Sequence, residues 1–305
     1  MRNRKLFILL CLLIAVLVIA GCSKTKQTVT QPAETPPAEQ TTPPKTDTST
    51  PGSGELKVHF IDVGQADCIF IQLPNAQNLL IDAGNNDDGQ AVVDYLSQSG
   101  VSQIDYLVGT HPHEDHIGGM DTVFNTFNTG KVYLPKATNN TRTFEDVLKA
   151  IKARGLTVTP AKAGVQLVAS EGLSAVMLAP NAASYEDLNN YSAVVKVSFG
   201  QVSFLFTGDA EEKSEMEMLA GSGAATLKAD VLKVGHHGSH TSTSPAFLRA
   251  VSPQYAVISA GAGNDYGHPH REILQRLSGI KVYRTDLDGT VVFTTNGQAV
   301  NVETR

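Results

Sequence analysis

Apolar positions fall into three regimes along this chain. Near the start, Leu6 to Ala20 is an unbroken apolar run behind Arg2, Arg4 and Lys5. From Ser23 to Gly54 almost nothing apolar remains, and Thr, Pro, Gln and Ser dominate. From Glu55 onward, short β-rich runs alternate with stretches whose apolar residues follow the helical period, which sets residues 55–305 apart as the folded part.

That part reads as two similar halves of strands followed by helices. "LKVHFIDVG", "DCIFIQL" and "NLLIDAG" are predicted strands, with "PNAQ" as a hairpin turn. "DGQAVVDYLSQSG" and "TFEDVLKAIKARG" are predicted helices stopped by Gly100 and Gly155, and "IDYLVGT" between them is a strand of the buried kind. In the second half "SAVMLAP", "SAVVKVSFG" and "VSFLFTGDA" are strands, followed by a helix in "EEKSEMEMLA". "ADVLKVGHHGS" and "YAVISAG" are strands entering loops, "SPAFLRAVS" and "HREILQRLSG" are helices, and "KVYRTDLDGTVVFTT" closes the chain as a hairpin. This order predicts an α/β (α+β) fold of two mixed sheets with helices outside, a four-layered αββα sandwich.

The leading apolar run is shorter than the ~20 residues a membrane-spanning helix needs, and its basic start describes an export signal. Its end, "VIAGC", is similar to a bacterial lipobox. That implies a signal peptide over residues 1–22 and lipidation at Cys22, with a plain signal anchor as the alternative. Residues 23–54 have too little to bury to offset their ordering entropy, so they are expected to form a disordered, Pro-stiffened tether. Signal, lipid and tether together put the folded part at the extracellular face of the cytoplasmic membrane, lipid-anchored. Cys11 would leave with the signal, and Cys68, in the apolar run "CIFIQL", reads as a buried small hydrophobe. The net charge of −6 gives no basic footprint for nucleic acid, so a polyanionic substrate would need another holder, and bound metal is a candidate.

The densest chemistry lies in "GTHPHEDHIGG", where His111, His113, Glu114, Asp115 and His116 crowd one loop. His111 and His113 are one residue apart, so in an extended segment they point the same way. Gly118 and Gly119 are expected to let the chain turn. The set exceeds what one open catalytic metal takes from a single loop, and suits two ions sharing it.

The pattern H-x-H-x-D-H resembles the signature of the metallo-β-lactamase superfamily. By that resemblance His111 and His113 would hold a first metal, and Asp115 and His116 a second. "FLFTGD" ends on Asp209, similar to the family's bridging carboxylate, and "LKVGHHGSH" supplies its last ligand. His236 is favoured there, with His237 as a supporting or substrate contact; the reverse assignment stays open. Asp82, closing "LLIDAG", resembles the aspartate that buttresses the ligand loop. A further family histidine has no counterpart, because Asn190 or Ser192 of "LNNYSAVVKV" would stand in its place. This puts first-site occupancy in question and leaves room for manganese as well as zinc.

"FIDVGQADCIFIQ", "NNYSAVVKVSFGQVSFLFTGD", "DVLKVGHHGSHTSTS" and "YGHPHREILQRL" resemble the metallo-β-lactamase domain of ComEC-type DNA-uptake proteins, here expected as a stand-alone lipoprotein. Ala66 stands where that family more often has glycine. The resemblance implies a metallo-β-lactamase sandwich over residues 55–305 and a metal-dependent phosphodiesterase or nuclease with two divalent ions, Zn or Mn. Asp115 or Asp209 would orient the attacking water. Backbone N–H groups at Gly238 and Ser239 would receive phosphate oxygens, and His268 would contact substrate phosphate or protonate the leaving group. His270 and His240 fit local roles, Glu114 faces solvent and His59 is structural. The expected partners are a phosphodiester, DNA among them, and the membrane through the lipid anchor; no protein partner is predicted. Two other readings remain: a cell-wall phosphorylcholine (teichoic acid) esterase, and a binding module whose metal site has decayed.

Overall fold

Parallel strands need a covered face on each side, and both sheets of this chain are built that way. A computed structural model describes residues 54–221 and 223–305. The expected signal peptide, Cys22 and the expected tether up to residue 53 lie outside the described residues. No helix among the described residues is long and apolar enough to cross a membrane.

The first sheet starts with β1 (Leu56–Phe60), β2 (Ile69–Gln72) and β3 (Asn78–Ile81), a meander of antiparallel pairs. Leu73 N–H donates to Gln77 O at 2.9 Å across the first-sheet hairpin turn. Three strands then add in parallel: β4 (Gln103–Val108), β5 (Asn128–Pro135) and β6 (Val158–Ala161). The helices Gly89–Gln98 and Arg142–Ala153 supply two of the crossovers.

The second sheet repeats the scheme. β7 (Gln166–Ser170), β8 (Leu173–Met177), β9 (Val195–Phe199) and β10 (Val202–Phe206) run antiparallel. β11 (Val231–Lys233), β12 (Tyr255–Ile258) and β13 (Lys281–Arg284) follow in parallel. The chain then departs from the predicted closing hairpin. β13 pairs with β12, but β14 (Val291–Thr295) pairs with β1 in the first sheet, where β15 (Val300–Thr304) forms its outer edge. The helical turn Thr285–Asp288 and Gly289, at φ 66°, redirect the chain between sheets. The final orders are β15-β14-β1-β2-β3-β4-β5-β6 and β13-β12-β11-β10-β9-β8-β7.

Alternation along the strands makes three apolar layers. Val58, Phe60, Ile71, Phe204, Phe206 and Phe293 are buried between the sheets, where Phe60 lies 5.9 Å from Phe206 and 5.8 Å from Phe293 between ring centroids. Phe70, Leu80 and Leu107 point the other way and pack under Val92, Leu96 and Phe124. Leu205, Leu232 and Ile258 do the same for Phe247, Val251 and Ile273. The expected αββα sandwich is the observed fold. Its parallel strands β3, β4 and β10–β12 release their carboxyl ends into loops that carry Asp82, His111, Asp209, His237 and His268. In open α/β sheets that end is where ligand sites form.

Candidate metal centre

Asp82, one residue past β3, fixes the histidine loop. It sits at φ 59° with its carboxylate fully buried. The carboxylate accepts hydrogen bonds from Thr110 N–H (2.8 Å), Thr110 Oγ1 (2.7 Å) and His116 Nδ1 (2.8 Å). Because an ionised carboxylate only accepts, His116 must carry its hydrogen on Nδ1 and turn Nε2 inward. Gly118 and Gly119 have helical dihedrals, φ −57° and −78°, so they do not make the expected sharp turn. Their role is close approach: a Cβ on Gly119 would stand 2.2 Å from Ala83 O, and one on Gly118 2.3 Å from Asn86 N.

Four side chains converge on one point: Asp115, His116, Asp209 and His237. His237 Nδ1 donates to Ser259 O at 2.9 Å, which orients the ring so that Nε2 faces the cluster. His237 Nε2 is 3.2 Å from Asp115 Oδ2 and 3.6 Å from Asp209 Oδ2. His116 Nε2 is 3.3 Å from Asp209 Oδ1 and 3.7 Å from Asp115 Oδ2. Ligands bound ~2.0–2.2 Å from one tetrahedral ion would be about 3.3 Å apart, so the spacing fits a shared divalent cation. His116 Nε2 and Asp209 Oδ1 are moreover buried without a hydrogen-bond partner, a costly state that a cation would relieve.

The electrostatics agree with that fit. Burial opposes charge on His116 and His237, yet Asp209 and Asp115 raise both imidazoles above their ordinary value. Burial works against the Asp209 carboxylate, and the attraction of His116 and His237 overcomes it and holds the group well below the usual carboxylate range. The cluster is an anionic pocket that pulls in positive charge, protons or metal.

The other pair is built differently. His111 Nε2 and His113 Nδ1 face each other at 2.9 Å. Burial and the neighbouring His116 keep His111 well below its ordinary value, hence neutral, as a ligand must be. Neither residue belongs to a cluster of three or more acidic, histidine or cysteine groups among the described residues. Ser192 Oγ lies 3.4 Å from His111 Nδ1 and accepts Asp209 N–H at 3.1 Å, so it braces the ring from behind. Asn190 turns away, with Nδ2 3.3 Å from Glu211 Oε2 and Oδ1 accepting from Ser214 N–H.

Of the neighbouring histidines, the structure puts His237 in the four-residue cluster and His236 beside it. His236 Nε2 is 3.6 Å from Asp209 Oδ2, and Nδ1 is 3.4 Å from Glu211 Oε1. Both stand in left-handed backbone, φ 49° and 53°, so strand alternation does not decide which faces inward. Ser239 N–H is taken by His236 O at 2.7 Å, and Gly238 packs against Pro269, where a Cβ would come within 2.5 Å. Neither lines the cavity that opens beside the cluster. His268 does line it; burial, then His236 and His237, lower it to about 4.

That cavity encloses 370 Å³ and is floored by Asp115, Asp209 and His237. Larger clefts, of 530, 560 and 390 Å³, lie beside Lys136 and Lys162, beside His240 and His270, and beside Asp121 and Asp146, and none is lined by the four-residue cluster, so volume alone does not mark the site.

Sequence reasoning missed four contributors. Asp67 and Lys233 are both fully buried and paired at 2.5 Å, and Asp67 also stands 3.6 Å from His237 Nδ1 and 3.8 Å from His116 Nδ1. Lys233 closes a strand otherwise made of Val and Leu, and a lysine in a buried-type strand was the available signal. Asn189 lines the cavity with Oδ1 buried and unbonded, and Gln65 reaches His268 Nδ1 at 3.5 Å.

Residues 61–262 match the family described as the metallo-beta-lactamase superfamily. The chain is similar to ComE operon protein 3 of Bacillus subtilis, with 34% identity over 79% of this chain and 33% of that protein. It is also 34% identical to competence protein ComA of Neisseria gonorrhoeae, over 78% of this chain and 32% of that protein. It thus spans about a third of the length of these relatives. Among solved structures, the metallo-beta-lactamase fold protein YhfI of Bacillus subtilis superposes with a TM-score of 0.53 over 79% of this chain and 100% of that one, at 13% identity, a likeness of fold. Match, fold and convergent ligand set agree: the chain belongs to the metallo-β-lactamase superfamily, generally metal-dependent hydrolases, and is homologous to the ComEC-type competence proteins.

Proposed function

We propose that this domain is a metal-dependent phosphodiesterase or nuclease that acts on DNA or another phosphodiester outside the cell, held at the membrane by a lipid on Cys22. The observation that carries the reading is the Asp115–His116–Asp209–His237 cluster, whose spacing suits a cation and which opens into a cavity. DNA is the favoured substrate because the motifs resemble those of ComEC-type DNA-uptake proteins, and the chain is similar to the competence protein ComA.

Asp115, His116, Asp209 and His237 would hold one divalent ion, with His111 and His113 offering two ligands for another. Bound there, Zn or Mn would polarise a phosphoryl oxygen and make hydroxide accessible near neutral pH. Asp209 touches His116 through Oδ1 and His237 through Oδ2, so it spans the cluster and can orient the attacking water. Asp115 is partly open to the cavity and can accept that water's proton. His268 is neutral at pH 7, since it is lowered to about 4. The Gln65 amide faces its Nδ1, so its Nε2–H is a hydrogen-bond donor for a phosphate oxygen. That contact role suits it better than leaving-group acid, which needs a proton His268 does not hold at neutral pH.

The test is a parallel assay of the purified protein on linear DNA, bis-p-nitrophenyl phosphate and p-nitrophenyl phosphorylcholine, with Mn, Zn and Mg each supplied. Diester cleavage that needs Mn or Zn supports the reading. Less than one equivalent of bound metal with no cleavage in any arm overturns it, and cleavage of the phosphorylcholine ester alone makes the protein an esterase. A Cys22→Ser variant should move from the membrane fraction to the medium; full membrane retention would refute the lipid anchor.

A further inference from the structure

Tyr266 is 69% exposed, yet it stands at the wall of the metal cavity. An exposed aromatic ring in a cleft is a binding surface in want of a flat or cationic partner. Its ring lies nearly parallel to that of His268, with centroids 5.6 Å apart and 20° between planes. His268 is in turn nearly parallel to His237, at 6.3 Å and 20°. Three rings therefore stack from the metal ligand out to the mouth of the cavity.

The loop that presents Tyr266 is braced. Asn264 Nδ2 donates to Gly261 O (2.9 Å) and His268 O (2.6 Å), while its Oδ1 accepts His268 N–H (2.9 Å). Gly261 N–H donates to Gln65 Oε1 at 3.0 Å, tying the loop to the wall opposite. The loop backbone that carries the ring is thus held in place, which lowers the ordering cost of binding.

Charge narrows the ligand. Neither lysine nor arginine lines the cavity, whereas Glu114 and Asp115 do. Within this cavity no lysine or arginine offers a polynucleotide's phosphates a grip, the usual means for sequence-independent binders. Stacking is the other means, and it tolerates any base. A quaternary ammonium would want several aromatic faces around it, and Tyr266 is alone among the cavity residues in carrying a phenyl or indole ring.

We propose that Tyr266, backed by His268, is a stacking platform for a nucleobase next to the phosphodiester at the metals, which makes single-stranded nucleic acid the preferred substrate class. This rests on the phosphodiesterase reading for its catalytic meaning, but it can be measured by binding alone. The probe is a fluorescent oligothymidylate with a phosphorothioate backbone, compared with an abasic strand of equal length and charge, on the Mn-loaded protein. The wild type should bind the base-bearing strand about tenfold more tightly. Tyr266→Ala should bring the two affinities within about twofold, while Tyr266→Phe and Tyr266→Trp keep the preference. Equal binding of both strands by the wild type overturns the platform, as does a preference that survives in Tyr266→Ala. Loss in Tyr266→Phe equal to that in Tyr266→Ala overturns it too, because the hydroxyl would then be what binds. Phosphorylcholine that competes through Tyr266 while the strand does not would assign the ring to a cation instead. If base preference depends on Tyr266 but no diester is cleaved, the platform stands and the phosphodiesterase reading falls. Cleavage with base-blind binding leaves the phosphodiesterase standing and removes the platform.

Discussion

The two half-sites of the histidine loop share a backbone but not a foundation. His116 is anchored by Asp82 at 2.8 Å, and His237 by Ser259 O at 2.9 Å. Behind them Lys233 neutralises Asp67 in a fully buried pair. Each ligand nitrogen is therefore aimed by a partner on its far side, and two acidic side chains complete the set. His111 and His113 have only each other across 2.9 Å, with Ser192 and Thr110 hydroxyls behind His111. A metal site thus depends as much on what holds its ligands as on how many histidines sit in a row. The Asp115–His116–Asp209–His237 set is held from behind in a spacing that fits an ion, while the His111–His113 pair is not.

Asp209 reaches both His116 and His237, so Asp209→Asn should have the largest effect, a loss of about a thousandfold in phosphodiester turnover. Steady-state kinetics at saturating Mn measure it, and a loss under tenfold would deny Asp209 that position. Lys233→Met leaves Asp67 buried and unpaired, which should cost about 3–5 kcal/mol in urea unfolding. An unchanged midpoint would mean that His116 and His237 suffice to hold Asp67. Asp82→Asn should weaken the tighter ion by roughly 10- to 100-fold, whereas Ser192→Ala should change affinity only a few-fold. Similar losses in the two variants would erase the contrast between half-sites.

A pH effect on stability concerns the loop behind His237. Glu215 is buried and accepts N–H bonds from Thr243 and Ser244; burial raises it to about 6 against the pull of those bonds. Unfolded, it titrates near 4.5, so the native state takes up the extra proton between those values. Stability should therefore fall as pH rises from about 4.5 to about 6, by no more than about 2 kcal/mol. Glu215→Gln should flatten that interval in pH-dependent denaturation, and an unaltered slope would remove Glu215 as its source.

Much of this was legible in sequence where the determinants are local. The β-rich runs named most of the strands, and the loop His111 to His116 stood out because its ionisable side chains lie within six positions, two of which, Asp115 and His116, join the cluster. Features set by distant partners were not. Gly118 and Gly119 look like turn formers until Asn86 and Ala83 press against them. Lys233 gains its meaning only from Asp67, which the fold brings from another sheet. His236 and His237 stand in left-handed backbone and Asn190 in a 3₁₀ turn, where no simple alternation says which side chain faces the cluster. The final strands split between sheets because β14 finds β1 across the whole length of the domain.

The difference between the half-sites is tested most directly by calorimetric titration of metal-free protein with Mn and Zn, in wild type, His113→Ala and His237→Ala. The wild type should bind one equivalent tightly and a second at least about tenfold more weakly. His113→Ala should keep the tight ion and lose the weak one, and His237→Ala should lose the tight one. A tight ion that disappears in His113→Ala and persists in His237→Ala would contradict the account.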